Sequence, residues 1–136
     1  MGLVRRIESS IFRAYDIRGI YPSEINEKTV YSIANFLSRR VFSKGKLIVA
    51  MDVRKSSKSL LKAIKRALGE REVIDVRYAT TPMFYYLANK FKASGGIMVT
   101  ASHNNPEWNG LKIVGKNAEA MGGYEILEKM RKENEG

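Results

Sequence analysis

The chain has 136 residues, of which 44% are hydrophobic and 28% charged, and it contains no cysteine. This length and composition predict one folded domain and exclude a disordered chain, a disulfide framework and a thiolate metal site. The net charge of +10 would suit nucleic acid or an anionic sugar phosphate, but the basic residues are spread along the chain without a nucleic-acid-binding motif, so we predict no nucleic-acid partner.

The N-terminal residues 1–8 lack the continuous apolar region of a signal peptide. Arg6 also occupies the position where a myristoylation motif has Ser or Thr. No later apolar run approaches the length that spans a membrane. We therefore expect a cytoplasmic protein without a membrane partner.

The first half of the chain predicts a helix, a strand and a second helix. Apolar residues recur at helical spacing between Asn26 and Arg40, and a turn follows. The apolar run Leu47–Asp52 is typical of a strand buried on both faces. The hydroxyl-rich segment 56–59 can cap a helix whose apolar stripe ends near Gly69.

The second half continues the alternation of strands and helices. In chain order we predict a strand at Val73–Val76, a helix from Thr80 to Phe91 with Pro82 in its first turn, a strand at Gly95–Val99, a polar loop from Thr100 to Gly110, a short strand at Leu111–Val114 and a helix from Tyr124 to Lys132.

This alternation predicts an α/β fold, a three-layer α/β/α sandwich around a mixed, mostly parallel sheet of about four strands. Ligands of such sheets bind at the carboxyl ends of the strands. The loops that follow Met51 and Val99 are therefore the regions where we expect a functional site.

The loop from Thr100 to Gly110 reads TASHNNPEWNG and holds the only His of the chain. A Ser followed by a His is common, and these two residues alone would indicate only a polar turn. The whole string, however, resembles the signature loop of the α-D-phosphohexomutases, which commonly reads Thr-Ala-Ser-His-Asn-Pro with a following Asn-Gly-x-Lys. The segments 12–19, 52–57 and 81–82 are similar to further motifs of that family, in the same order.

Every one of these motifs belongs to the first of the family's four domains. The resemblance therefore implies that residues 1–136 form domain I, without domains II to IV. The sequence contains only Asp16, Asp52 and Asp75 as aspartates, so the aspartate-rich metal loop of the second domain is not among these residues. We expect an enzyme of the phosphomannomutase or phosphoglucomutase type, an isomerase that is inactive in this form alone.

The resemblance also implies a role for each site residue. Ser102 would be the phosphoserine that exchanges phosphate with C1 or C6 of a hexose phosphate, through a hexose 1,6-bisphosphate that also acts as activator. Its phosphate would bind Mg²⁺, with the other ligands supplied by an absent domain. His103 would assist proton transfer or orient the substrate hydroxyl, and Lys112 and Arg18 would be cations near the phosphate. Tyr15 and Asn104 would be substrate or phosphate contacts, Tyr15 as a hydrogen-bonding neighbour of Arg18 and Asn104 also as a possible brace of the loop.

Two departures from the family pattern keep a second interpretation open. Asn105 stands where the loop usually has its first Pro, and Ala50-Met51 replaces the usual Gly-Arg before Asp52. The alternative is a non-catalytic module, derived from the family, that binds a sugar phosphate or a protein. In either case we expect the missing mutase domains or a second copy of the chain as partner, because an isolated domain I would expose apolar surface.

Overall fold

The computed structural model of the protein describes residues 7–135, so the predictions made on the first six residues lie outside the described part. In chain order the elements are β1 (Ile17–Ile20), α1 (Glu27–Phe36), β2 (Leu47–Met51), α2 (Ser57–Leu68), β3 (Val73–Tyr78), α3 (Thr81–Lys90), β4 (Gly95–Val99), β5 (Trp108–Val114), β6 (Ala120–Met121) and α4 (Gly123–Glu135).

The helices begin and end at the residues that local chemistry favours. The Asn26 side chain accepts a hydrogen bond from the Thr29 N–H at 3.1 Å and caps α1, which continues into a π-helical turn at Leu37–Val41. Helix α2 ends at Gly69, whose φ of 61° suits glycine. Thr80 caps α3 through the Met83 N–H at 3.3 Å. None of the helices in residues 7–135 is long and apolar enough to cross a membrane.

The sheet has the order β1-β5-β4-β2-β3, and β6 also pairs with β5. Strand β2 runs parallel to β3 and β4, whereas β5 is antiparallel to β1, β4 and β6. The predicted fold class is confirmed, with a sheet somewhat larger than the expected four strands. The additional strands, β1 and β6, span four and two residues, and neither has an apolar run that would identify it in the sequence.

Strand β5 begins at Trp108, so the prediction of a loop as far as Gly110 was wrong. Asn109 and Gly110 are typical turn residues, but here both lie in the strand and are buried. A β-carbon at Gly110 would lie 2.0 Å from the Ile17 carbonyl oxygen. Glycine is therefore required at this position because β1 approaches it closely, and not because the chain turns there.

Two hydrophobic clusters, one on each face of the sheet, produce the three layers. Along β2, Val49 packs in the larger cluster with α1, α2 and α4, whereas Ile48 packs in the smaller cluster with α3. Strand β4 alternates in the same way, with Ile97 in the larger cluster and Met98 in the smaller one. The central strands are therefore rigid supports for the loops at their carboxyl ends.

Candidate active site

The loop that follows β4 presents Ser102 and His103, both of which are exposed. Ser102 has a φ of 54°, in the left-handed region that few non-glycine residues adopt. Its N–H donates to the hydroxyl oxygen of buried Thr100 at 3.0 Å. The unusual backbone at Ser102 is therefore held in place directly at the end of a buried strand.

Ser102 and His103 line an open cleft of about 720 Å³. Its walls come from the end of β2, the segment that follows it and the start of α3, and they include Met51, Asp52, Val53, Tyr78, Ala79, Thr80, Thr81, Pro82, Met83, Met98 and Thr100. The cleft thus lies at the carboxyl ends of β2 and β4, where the sequence predicted a site.

A charged network joins three of the predicted site residues. The Arg18 Nε donates to Asp16 Oδ2 at 2.7 Å, and its Nη1 donates to Asn104 Oδ1 at 2.5 Å. The Lys112 Nζ lies 3.7 Å from the same Asp16 oxygen. Asp16, which the sequence analysis did not select, is buried and holds both cations together. The network therefore has two cations and one carboxylate.

The negative charge of Asp16 also affects a neighbouring helix. Burial raises the pKa of the Tyr85 phenol on α3, and the Asp16 carboxylate raises it further. The only cations that balance Asp16 directly, within residues 7–135, are Arg18 and Lys112.

Tyr15 is not drawn into this network. Its side chain is 85% exposed, and in the described part of the chain Arg18 is hydrogen-bonded to Asp16 and Asn104 rather than to Tyr15. Nor do the Ser102 and His103 side chains bond to Arg18 or Lys112 within that part. Asn104 therefore links the cations to the loop, while Ser102, His103 and Tyr15 remain open to solvent.

Arg54 was not selected from the sequence, although it lies in the segment 52–57. Its Nε donates to Asp52 Oδ2 at 3.2 Å. The Ser102 loop is defined as residues 100–108, so that it ends with the first residue of β5. The two terminal nitrogens of Arg54 donate to four of its backbone carbonyls, those of Ser102 (2.8 Å), Asn104 (2.8 Å), Asn105 (2.7 Å) and Trp108 (3.2 Å). No local sequence signal marks such a role, because the carbonyls belong to residues about 50 positions away.

A second network ties the segment that follows β2 to β5. Asp52 Oδ1 accepts hydrogen bonds from the Ser57 hydroxyl at 2.6 Å and from the Arg54 N–H at 3.1 Å. The buried Asn109 amide donates to Ser56 Oγ at 2.7 Å and to Ser57 Oγ at 3.0 Å. Asp52 is thus fixed from two directions, and it fixes Arg54 in turn.

Residues 7–135 contain no group of three or more His, Asp or Glu side chains that could hold a metal ion. The carboxylates of Asp16 and Asp52 are already bound to Arg18 and Arg54. The described side chains alone therefore do not form a magnesium site.

Comparison with known proteins shows the family of the chain. The family model described as "Phosphoglucomutase/phosphomannomutase, alpha/beta/alpha domain I" matches residues 9–135. The chain belongs to this family. It is 40% identical over 109 residues to a protein of Xanthomonas campestris pv. campestris named "Phosphohexose mutases", covering 79% of this chain and 24% of the relative. A phosphomannomutase of Methanocaldococcus jannaschii is 38% identical over 128 residues, covering 92% of this chain and 28% of the relative.

A solved structure shares the fold. The crystal structure of a phosphoglucomutase/phosphomannomutase family protein from Burkholderia thailandensis superposes with a TM-score of 0.79 at 30% identity, over 95% of this chain and 31% of that protein. The chain therefore spans only about a quarter to a third of these relatives. Its resemblance to domain I of the mutases is confirmed.

Proposed function

We propose that this chain is the phosphoserine-carrying domain of a phosphohexomutase, with Ser102 as the residue that carries the phosphate. The observation that carries the proposal is the exposure of Ser102 on an unusual backbone, in a loop whose carbonyls are bound by Arg54 from outside the loop. A fixed backbone with an exposed hydroxyl suits a nucleophile that must meet a ligand repeatedly in one geometry.

The proposed reaction moves phosphate between C1 and C6 of a hexose phosphate. The bond from phosphorus to Ser102 Oγ breaks as a bond from phosphorus to a sugar hydroxyl oxygen forms. The proton of that hydroxyl ends on Ser102 Oγ, and His103, exposed beside it in the same cleft, is the side chain placed to pass it. The hexose 1,6-bisphosphate so formed then returns its other phosphate to Ser102.

The charges of the site support an enzyme that needs more than this chain. We propose that Arg18 and Lys112 stabilise the phosphate, and that Asn104 and Tyr15 contact it or the sugar. Asp16 already neutralises one of the two cations. One net positive charge is too little for a dianionic phosphate whose charge must be stabilised during transfer.

Mg²⁺ is the proposed source of further positive charge. Ser102 can contribute one ligand through its phosphate, and we propose that another domain supplies the remaining oxygen ligands, because the side chains of residues 7–135 offer no cluster of carboxylates. This requirement agrees with the proposal that the chain does not turn over hexose phosphate alone.

We propose that the remaining mutase domains are the partner that completes the cleft. Three apolar side chains on its walls are strongly exposed: Val53 (85%), Tyr78 (54%) and Met83 (49%). Contiguous exposed apolar groups beside a site are typical of surfaces that another domain covers. The two relatives named above are about four times as long as the matched region, which is long enough to supply that cover.

The test is to isolate the tagged chain from its own cells and to determine both its phosphorylation and its bound proteins by mass spectrometry. We expect phosphate on Ser102, its loss in Ser102→Ala, and recovery of a protein with an aspartate-rich metal loop. Alanine and serine have similar backbone preferences, so this control tests only the loss of the hydroxyl. Unmodified Ser102 in the presence of that partner would contradict the proposal.

The second candidate, a non-catalytic sugar-phosphate-binding module, is favoured by Met51. This side chain is buried at the end of β2, where the family pattern has an Arg. The site therefore lacks one cation that a catalytic relative would carry. Titration calorimetry with hexose phosphates decides this case: binding without phosphate on Ser102 would support the module, whereas absence of heat would eliminate it.

A further inference from the structure

Arg54 lies beside the Ser102 loop, where a guanidinium would first be expected to bind phosphate. Its five N–H donors are nevertheless all occupied, one by Asp52 and four by the loop carbonyls. Its side chain is only 12% exposed. Arg54 could bind an anion only by releasing a carbonyl of the loop, so its place in the structure is that of a support and not of a ligand.

The loop needs such a support because its carbonyl oxygens converge. Four partial negative charges that point toward one centre repel each other unless a cation lies between them. The backbone bonds within the loop are few: the Asn104 N–H donates to the Ala101 carbonyl at 3.0 Å, and the Trp108 N–H donates to the Asn105 carbonyl at 2.9 Å. No helix or strand covers residues 101–107.

The same contacts explain how the loop keeps its shape without the usual Pro at position 105. Proline would fix one backbone angle of the loop. Here the Asn105 carbonyl is bound by Arg54 Nη1 at 2.7 Å, so the backbone is restrained from outside the loop. The departure from the family pattern at this residue therefore does not by itself imply a mobile loop.

We propose that Arg54 is the positioning residue for Ser102: it binds the carbonyls of the loop so that Ser102 stays in its left-handed conformation with its hydroxyl exposed. Asp52, held by Ser57, fixes the guanidinium in turn. This inference rests on the proposed function only where it connects the geometry of Ser102 with phosphate transfer.

The first test measures the loop itself in the variant Arg54→Ala. Hydrogen exchange measured by NMR should accelerate at least about tenfold at the amides of Ser102, Asn104 and Trp108. Without Arg54, the hydrogen bonds that these amides donate within the loop open locally. The amides of β2 and β4 should keep their rates. Millimolar guanidinium ion should occupy the vacated site and restore slow exchange in the loop. Unchanged exchange at these three amides, or faster exchange that guanidinium does not reverse, would overturn the proposal.

Arg71→Ala is the matched control. Arg71 also donates to four backbone carbonyls, but these lie in the segment before β2, those of Ser38, Phe42, Ser43 and Gly45. This variant should accelerate exchange near Phe42 and leave the Ser102 loop unchanged. An equal acceleration in the Ser102 loop would show a general loss of stability and would refute a specific role of Arg54.

If Arg54→Ala does not fold, Arg54→Lys decides the question. Lysine keeps the charge but has three donors on one nitrogen, so it cannot reach all of the carbonyls. Exchange in the loop should then lie between that of the wild type and that of a free loop. Wild-type rates in Arg54→Lys would mean that charge alone suffices and that the proposed geometry is wrong.

The second test connects the loop with phosphate transfer. The fraction of Ser102 that carries phosphate, in chain isolated from its own cells, should fall roughly 10- to 100-fold in Arg54→Ala and stay unchanged in Arg71→Ala. Equal phosphate fractions in both variants would refute the connection with transfer. If the wild type itself carries no phosphate, the proposed function fails, and the exchange experiment still decides whether Arg54 holds the loop.

Discussion

At each end of β2, an arginine side chain binds several backbone carbonyls of a neighbouring loop. Arg54 follows its carboxyl end and gathers four carbonyls of the Ser102 loop, while Arg71 gathers four carbonyls of the segment that leads into its amino end. Both loops are therefore shaped by a guanidinium from a distant part of the chain.

The two regions differ in what surrounds the arginine. Arg54 is fixed by Asp52, whereas Arg71 makes no ion pair among residues 7–135. The segment beside Arg71 contributes the buried Phe42 to the core, whereas the loop beside Arg54 leaves Ser102 and His103 exposed. An arginine that binds several backbone carbonyls therefore indicates, by itself, only a fixed turn. An arginine that is also held by a carboxylate, and that lies beside exposed reactive side chains, indicates a candidate site.

Gly110→Ala should have the largest effect on stability, because Gly110 lies in the strand that follows the Ser102 loop, where β1 approaches closely. The new β-carbon would lie 2.0 Å from the Ile17 carbonyl oxygen and force β1 and β5 apart. We expect a loss of at least about 3 kcal/mol in the free energy of unfolding. Urea denaturation measures it.

Gly115→Ala is the control for that variant, since its β-carbon would meet only the Met121 sulfur at 3.7 Å, an ordinary contact. Its unfolding free energy should stay within about 0.5 kcal/mol of the wild type. Equal losses in the two variants would show that glycine content, and not the approach of β1, limits stability.

Asn109→Ala should rank second. It removes the amide that binds Ser56 and Ser57 and leaves the buried Gly110 N–H without its acceptor. We expect about 2 kcal/mol of destabilisation, together with faster exchange in the Ser102 loop, because Ser57 holds Asp52. A loss of stability without faster exchange in that loop would show that the hydrogen bonds of Asn109 do not support the site.

Arg71→Ala should cost less, about 1 to 2 kcal/mol, because two of the four carbonyls that it releases, those of Ser43 and Gly45, are exposed and can bind water. The loss should appear in urea denaturation while the phosphate on Ser102 is unaffected. Loss of that phosphate would mean that the two ends of β2 are coupled, and the distinction between them would fail.

Glu27→Gln tests a contact that involves neither Arg54 nor Arg71, and its effect on the free energy of unfolding should be the smallest. Burial raises the pKa of Glu27, but hydrogen bonds from Ser59, from Tyr21 and from its own backbone outweigh burial and leave this pKa below the ordinary value of 4.5. The stabilisation is therefore present above that value and is lost as pH falls through the lower folded pKa.

We expect wild type to exceed Glu27→Gln by about 0.5 kcal/mol at pH 7, a value typical of partly exposed contacts, with no difference at pH 2. Urea midpoints at the two pH values measure it. A difference that persists unchanged in acid would show that the side chain acts through packing and not through its charge.

Much of the fold could be read from the sequence because its signals are local. The buried run of β2, the cap at Thr80 and the glycine after α2 each depend on residues next to one another. Strand β1 depends instead on pairing with β5, as in Ile17 with Leu111, and its four residues show no pattern of their own. Non-local pairing also turned Asn109 and Gly110 from expected loop residues into strand residues.

The candidate site divides in the same way. The residues selected as site candidates through the resemblance of continuous motifs were Ser102, His103, Asn104, Tyr15, Arg18 and Lys112, and their roles stay predictions. Asp16 and Arg54 were missed as site residues, because their importance comes from partners elsewhere in the chain: Arg18 and Lys112 for Asp16, and the loop carbonyls for Arg54. Spacing along a sequence does not reveal such partners.

Because Arg54 binds backbone oxygens and not side chains, its hydrogen bonds place little restriction on how the sequence of this loop can evolve. Every amino acid supplies the same carbonyl group, so the side chains at positions 104 to 106 can be exchanged without removing any partner of the guanidinium. A library randomised at Asn105 and Pro106 should therefore yield many folded members with Ser102 presented as before. The same library at Asp52 and Arg54 should yield almost none.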